Sequence, residues 1–198
     1  MNYADAAQAS GQAAAAALAE GEAAAARAAA KAADTFFDEV RSRVGLDPVL
    51  ARLACTAGCA WCCHQVVGVT SAELAWVAEA VAALPQAVRD KVKAAAAETA
   101  RMGAGLDQRG WWAARLRCPL LGDDGLCLVH QSRPLPCRAY NSADAEVCRR
   151  SLAGEAVRVP VLAAQHGVYG HAQLGLVRAL ADAGRDAQVV NLALALAG

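Results

Sequence analysis

The chain has 198 residues, equal numbers of acidic and basic side chains, and a hydrophobic fraction of 57% to which alanine contributes heavily. A chain of this length buries a core and forms one domain by default, whereas a zero net charge without a basic stripe argues against nucleic acid as a partner. No apolar run reaches the roughly 18–20 residues that span a bilayer, and the start of the chain lacks a secretory signal. We therefore expect no membrane contact and a cytoplasmic location.

The first segment, residues 1–33, is a low-complexity tract made largely of alanine. Alanine has the highest helix propensity, so we expect this tract to be helical. It carries few large side chains, and we interpret it as an N-terminal extension, a poorly docked helix, ahead of a single domain over residues 34–198. Within that domain, apolar residues from Phe36 to Leu46 recur at helical spacing, and Asp47 and Pro48 indicate the start of a short helix that reaches Leu53.

The middle and the end of the chain also read as helices. Thr70 and Glu73 form a capping box, which predicts a helix to about Leu84, and Pro85 begins another. Aromatic residues make up only 5% of the chain, which indicates a small helical core. The predicted class is mainly α: a small helical domain with an irregular, cysteine-rich metal-binding centre. The remaining expectations are an extended stretch over residues 66–69, helices over 85–102, 144–152, 162–183 and 186–197, and a second extended stretch over 155–161.

Eight cysteines indicate the chemistry of the protein. The first cysteine block reads C-x3-C-x2-C-C and the second has three cysteines within twenty residues, with one more after it. In a reducing compartment such clusters favour metal binding over disulfides. The metal supplies the positive charge that keeps thiolates deprotonated. The candidate metal ligands are Cys55, Cys59, Cys62 and Cys63 of the first block, Cys118, Cys127 and Cys137 of the second, and Cys148.

The metal itself is either zinc or the iron of a [4Fe–4S] cluster. Closed zinc sites take four ligands, so eight cysteines could form two of them, and the adjacent Cys62 and Cys63 could serve two different metals. Cysteine-rich sites with few histidines suit iron–sulfur clusters equally well, and we favour iron–sulfur slightly. His64 and His130 are further zinc candidates. The neighbouring arginines that could offset the negative charge of an all-thiolate site are Arg117, Arg133 and Arg138.

The combined pattern resembles a known family. The first block, together with Cys118-Pro119-Leu120-Leu121 and the later C-x2-H-x2-R-P-x2-C-R-x-Y stretch, is similar to the YkgJ-type cysteine-cluster proteins, a zinc- or iron-chelating domain. The resemblance covers about residues 50–150. It implies that the seven cysteines from Cys55 to Cys137 chelate metal. A related domain occurs in flagellin lysine methylases, which use S-adenosylmethionine and an iron–sulfur cluster.

Cys55-x3-Cys59-x2-Cys62, with Trp61 before the last cysteine, also resembles the radical S-adenosylmethionine motif. That motif belongs after the first strand of a partial βα barrel. Here the preceding segment reads as helix and no strand–helix repeat follows, which argues against this class.

Three functions remain open at this point. The first is a metal-binding protein for metal handling, redox sensing or electron transfer, whose partner is a metal ion or an iron–sulfur cluster. The second is an iron–sulfur enzyme that uses a small cofactor. Its pocket could be lined by the eighth cysteine, Cys148, and by Arg138, Tyr140, Trp111 and Trp112. The third is a protein-interaction module stapled by metal, with the alanine tract as a tether. The sequence does not decide whether the protein is an enzyme, and it names no protein partner.

Overall fold

The computed structural model describes residues 2–198 and confirms a mainly α fold. Three 3-10 turns lie at Leu18–Glu20, Trp61–His64 and His130–Ser132. Strands β1 (Gly68–Val69) and β2 (Val190–Asn191) pair antiparallel, with Gly68 opposite Asn191. Within residues 2–198 no helix has both the length and the hydrophobicity to cross a membrane. The helices are α1 (Tyr3–Ala17), α2 (Glu22–Val44), α3 (Asp47–Leu50), α4 (Ser71–Ala82), α5 (Gln86–Gly103), α6 (Gln108–Ala113), α7 (Leu135–Ala139), α8 (Ala145–Leu152), α9 (Ala163–Asp182) and α10 (Leu192–Ala195).

The alanine tract is helical as predicted, but it is not poorly docked. Helix α1 packs along α9 and α2, and α2 continues without a break across residue 33. The side chains of Ala6, Ala14 and Ala29 are fully buried. Small side chains allow helix backbones to approach closely, so alanine forms an interface here in place of larger apolar residues. The expectation of a loose helix is therefore wrong, while the division of the chain at residue 33 stays a prediction.

Glycines set the spacing between α1 and α9. A Cβ atom added to Gly175 would lie 2.0 Å from the carbonyl oxygen of Ala7, and one added to Gly11 would lie 2.9 Å from the carbonyl oxygen of Gly175. Real Cβ atoms do not approach other atoms this closely. The contact therefore depends on the absence of a side chain at both positions.

A buried carboxylate ties α4 to the rest of the core. Thr70 caps α4 and forms the predicted capping box with Glu73. The Glu73 carboxylate also accepts hydrogen bonds from the Leu135 backbone N–H at 2.8 Å and from Gln173 Nε2 at 2.9 Å. Burial raises the pKa of Glu73, although these hydrogen bonds oppose the shift. One side chain thus joins the N-terminus of α4 to α7, which carries Cys137, and to α9.

The last predicted helix is mostly wrong. Residues 185–189 are irregular, β2 follows, and only Leu192–Ala195 form a short helix. The Leu192 backbone N–H donates to the carbonyl of Val67 at 2.9 Å, so pairing with the segment after the first cysteine block replaces helix formation. Residues 155–161 form no strand, and the helix before the first block ends at Leu50, with Asp47 as its first residue and not its cap.

Candidate metal centre

The first cysteine block is a compact series of turns. Gly58 has φ of +87°, which favours glycine, and the Cys59 N–H bonds to the Thr56 carbonyl at 3.0 Å. Cys62 and Cys63 follow within the 3-10 turn. The Cys55 sulfur accepts the Ser142 N–H at 3.1 Å, which attaches the start of the block to the segment leading into α8. The four cysteines are therefore held close together by backbone turns.

The second cysteine block lies directly on the first. Its chain reverses at Gly125, and Leu128 N–H bonds back to the Leu120 carbonyl at 2.9 Å. A Cβ atom on Gly125 would meet the carbonyl oxygen of Gly58 at 3.0 Å, so the turns of the two blocks touch. The Cys118 N–H donates to the carbonyl of Cys63 at 2.8 Å. A backbone hydrogen bond between two candidate ligands thus joins the blocks.

The thiols fall into two neighbouring groups. The inner thiols are Cys118, Cys127 and Cys137. The pKa of Cys118 is raised to about 11, mainly by burial, and the nearby Cys127 and Cys62 contribute to the rise. Burial is also the main cause of the raised pKa of Cys137, and Cys118, Cys127 and Cys62 all add to it. These four thiols therefore lie close enough for their charges to interact.

The outer thiols are Cys55, Cys59 and Cys148. Burial raises the pKa of Cys55, and Cys59, Cys62 and Cys148 contribute. Burial likewise raises the pKa of Cys148, with Cys59 and Cys62 contributing. Cys148 therefore lies with the first block and not with the second. Cys62 neighbours both groups, and its own pKa is raised first by its interaction with Cys63 and then by burial.

All eight cysteines are free thiols. Within residues 2–198, no group of three or more Cys, His, Asp or Glu side chains is arranged to hold a metal ion as it stands. The donor set nevertheless fits zinc or iron, because both bind thiolates. The raised pKa values mean that the buried thiols stay protonated near neutral pH. A metal would displace these protons and draw the sulfurs together, which couples binding to local folding.

The three candidate arginines behave differently. Arg133 lowers the pKa of Cys62, Cys127 and Cys137, and its buried Nε has no hydrogen-bond partner in the part of the chain that the structure describes. Arg117 lowers the pKa of Cys118 while its guanidinium bonds to a loop carbonyl. Arg133 is therefore the cation best placed to balance negative charge on the inner thiols.

Arg138 does not serve the thiols, contrary to expectation. It forms an ion pair with Asp34 of α2 at 3.1 Å and donates to the Gln131 carbonyl at 2.7 Å. Its guanidinium also lies 5.5 Å from the ring of Trp76, within cation–π range. Only 15% of the side chain is exposed. Arg138 therefore anchors the second cysteine block to the helical core.

The candidate histidines and aromatic residues also separate. His64 Nδ1 lies 3.4 Å from the carbonyl of Trp61, and His130 is exposed. Trp111 is buried in a small apolar cluster, whereas Trp112 and Tyr140 line an open cleft that Arg138 does not reach. Of the five proposed pocket residues, only Trp112 and Tyr140 line this cleft, and Cys148 is not among its lining residues.

Comparison with known proteins identifies the family. The family model described as "CxxCxxCC: Putative zinc- or iron-chelating domain" matches residues 54–155, just over half of the chain and all eight cysteines. No curated protein and no solved structure matches the chain. The match agrees with the resemblance found in the sequence, and zinc or iron chelation is the chemistry it supports. The chain belongs to the CxxCxxCC family of zinc- or iron-chelating domains.

Proposed function

We propose that the protein holds two four-thiolate metal centres, and that each centre takes one of the adjacent cysteines Cys62 and Cys63. The inner thiols would take one cysteine of this pair and the outer thiols would take the other. Four thiolates suit either tetrahedral zinc or a [4Fe–4S] cluster. Neighbouring side chains in a tight turn diverge, so the pair is suited to ligate two centres and poorly suited to ligate one. We favour iron–sulfur because the donor set is dominated by eight cysteines, with only two histidines near them in the sequence.

The observation that carries this proposal is the direct contact between the two blocks. The 2.8 Å hydrogen bond from the Cys118 N–H to the Cys63 carbonyl brings the inner thiols beside the Cys62–Cys63 pair. The Ser142 N–H donates to the Cys55 sulfur at 3.1 Å, and Cys55 lies near Cys59, Cys62 and Cys148. These contacts support a proposal in which cysteines from distant parts of the sequence would form two sets of three, each completed by one cysteine of the adjacent pair.

The two centres differ in exposure, which suggests different roles. Cys137 is half-buried, and burial is the main cause of its raised pKa, whereas Cys55 is exposed. A metal on the inner thiols would stabilise the fold. A metal on the outer thiols would be reachable by solvent or by a partner, as metal transfer or electron transfer requires. A reducing cytoplasm, in which the eight thiols remain free, is part of this proposal.

The experiment compares single cysteine variants by metal content and thermal unfolding. Cys137→Ala should remove one centre and strongly lower Tm, because metal binding there is coupled to folding. Cys55→Ala should remove one centre and change Tm little. Thr56→Ala is a matched control, because only the backbone carbonyl of Thr56 is used in the turn. The wild type should contain about two zinc or about eight iron atoms per chain. Loss of all metal in both cysteine variants would indicate a single shared centre and contradict the proposal.

A further inference from the structure

A cleft of about 630 Å³ lies beside the cysteine centre. Its walls come from α6, the end of α8 and the segment that follows the first cysteine block. The residues that matter for its chemistry are Gln65, Arg109, Trp112 and Tyr140. This volume is within the range of about 300–1,000 Å³ that is typical of small-molecule sites.

Two long-range hydrogen bonds hold the cleft walls in place. Trp112 Nε1 donates to the Ser151 carbonyl at 3.0 Å, and the Arg115 guanidinium donates to the Ala153 carbonyl at 3.2 Å. Arg115 has φ of +52°, an uncommon conformation for a residue other than glycine. Such a conformation persists where the surrounding contacts enforce it. The short helix α6 is therefore fixed against α8, and the Trp112 ring has a defined orientation before any ligand arrives.

The cleft adjoins the segment that follows the first cysteine block. The Gln65 N–H bonds to the Cys62 carbonyl at 3.2 Å, and the Gln65 side chain interacts with the Tyr140 phenol. Burial raises the pKa of Tyr140, and the nearby Cys148 and Cys62 raise it further. A molecule in the cleft would therefore contact Tyr140, a residue that lies near Cys148 and Cys62.

The side chains that line the cleft define the kind of ligand. Arg109 has no ion pair or hydrogen bond to any side chain or carbonyl in residues 2–198, so its donors are free to bind an anionic group. The oriented indole of Trp112 offers an aromatic surface for a flat ring. The neighbouring Asp107 carboxylate already accepts the Gly110 N–H at 2.7 Å through one of its oxygens. We propose that this cleft binds a small molecule that combines a flat ring with a phosphate or carboxylate group.

The test is ligand-observed NMR on the full-length, metal-loaded protein with two probes. AMP represents a ring with a phosphate and indole-3-acetate a ring with a carboxylate, while inorganic phosphate and adenosine each supply only one of the two features. We expect at least one of the two complete probes to bind saturably with Kd below about 1 mM and more tightly than either partial probe. Whether AMP or indole-3-acetate binds more tightly would show whether the cleft prefers a phosphate or a carboxylate.

Variants assign the binding to the cleft. Arg109→Ala should weaken the bound probe by about tenfold, because a charge-assisted hydrogen bond is lost. Trp112→Ala should weaken it as well. Arg158→Ala is the matched control, since Arg158 is also an exposed arginine without a partner in the described part of the chain but does not line the cleft.

Equal affinity of the Arg109→Ala and Arg158→Ala proteins for the probe would overturn the proposal. So would the absence of saturation by either complete probe at about 10 mM, which is roughly the weakest binding that the NMR titration detects. Metal content is measured separately on each variant and should not change. Failure of the metal proposal and failure of this one are therefore distinguishable.

Discussion

Replacing Gly175 by alanine should force α1 away from α9. The new Cβ atom would lie 2.0 Å from the carbonyl oxygen of Ala7 and 2.8 Å from its carbonyl carbon. Ordinary contact needs about 3.5 Å, so the helices must separate locally by about 1.5 Å. The opposing atoms belong to the backbone of a helix and cannot rotate away as a flexible side chain could.

The magnitude follows from two opposing effects. Overpacking of this kind costs about 1–3 kcal/mol, and a rigid backbone contact places Gly175→Ala at the upper end. Alanine is better than glycine in a helix by about 1 kcal/mol, which offsets part of the loss. The net destabilisation should be about 2 kcal/mol. Gly170→Ala in the same helix meets nothing within 4 Å, so it should gain about 1 kcal/mol.

The assay is urea unfolding followed by circular dichroism, with both variants at the same metal content. The expected difference between them is about 3 kcal/mol in the free energy of unfolding, the sum of the opposite effects of one methyl group at two positions. Equal stability of Gly175→Ala and Gly170→Ala would refute the reasoning, because it would mean that α1 does not pack on α9 at this point.

Three further substitutions test other parts of the structure. Glu73→Gln should destabilise the protein by about 1–3 kcal/mol, because an amide N–H₂ would face buried donors. The substitution should also remove a pH dependence of the free energy of unfolding. The folded protein raises the pKa of Glu73 above its ordinary 4.5, so the stability contributed by this group is lost as pH rises from 4.5 through the folded pKa. Arg133→Gln should raise the pKa of the inner thiols, slow their alkylation at pH 8, and weaken metal binding by about 10-fold or more. Arg138→Ala should destabilise the protein by about 2–3 kcal/mol in urea, because it leaves a partly buried partner, Asp34, without its ion pair.

Each of these three predictions has an outcome that would contradict it. An unchanged pH profile of stability in Glu73→Gln would mean that the carboxylate does not titrate differently in the folded protein. Arg101→Gln, on the surface of α5 and paired with Glu98, is the control for Arg133→Gln, and equal alkylation rates in the two would remove the charge-balancing role of Arg133. An Arg138→Ala protein that unfolds like the wild type would show that the Asp34 contact contributes nothing measurable.

Local signals in the sequence predicted local structure well. The capping box of Thr70 and Glu73 and the helix that carries Cys148 depend on residues within one or two turns, so both could be predicted. The same sequence signal did not show that Glu73 would also bond to Leu135 and Gln173, because these partners are distant in the chain.

Contacts between distant segments account for what could not be predicted. The docking of the alanine tract depends on Gly11 meeting Gly175, and neither glycine stands out in the sequence. The helix expected near the C-terminus was replaced by pairing of β2 with β1, which requires the fold to bring the two segments together. Arg138 was assigned to the thiols because it follows Cys137, whereas its partner Asp34 lies on another helix.

The sequence indicated the chemistry of the candidate site but not the arrangement of its cysteines. The spacing of the cysteines identified them as possible ligands, and the family match covers all eight. Their division into inner and outer thiols follows from which thiols lie close enough to influence one another, and this depends on contacts between segments distant in the sequence. The ligand set itself stays a prediction until metal binding is measured.

The most direct measurement is the metal content and absorption spectrum of protein purified without oxygen. The proposal of two iron–sulfur centres predicts a brown protein that absorbs at about 400 nm and contains about eight iron atoms per chain. About two zinc atoms in a colourless protein would keep the two four-thiolate centres and reject the iron–sulfur assignment. Neither metal at stoichiometric level, with all eight thiols open to alkylation, would contradict the central claim that these cysteines chelate metal.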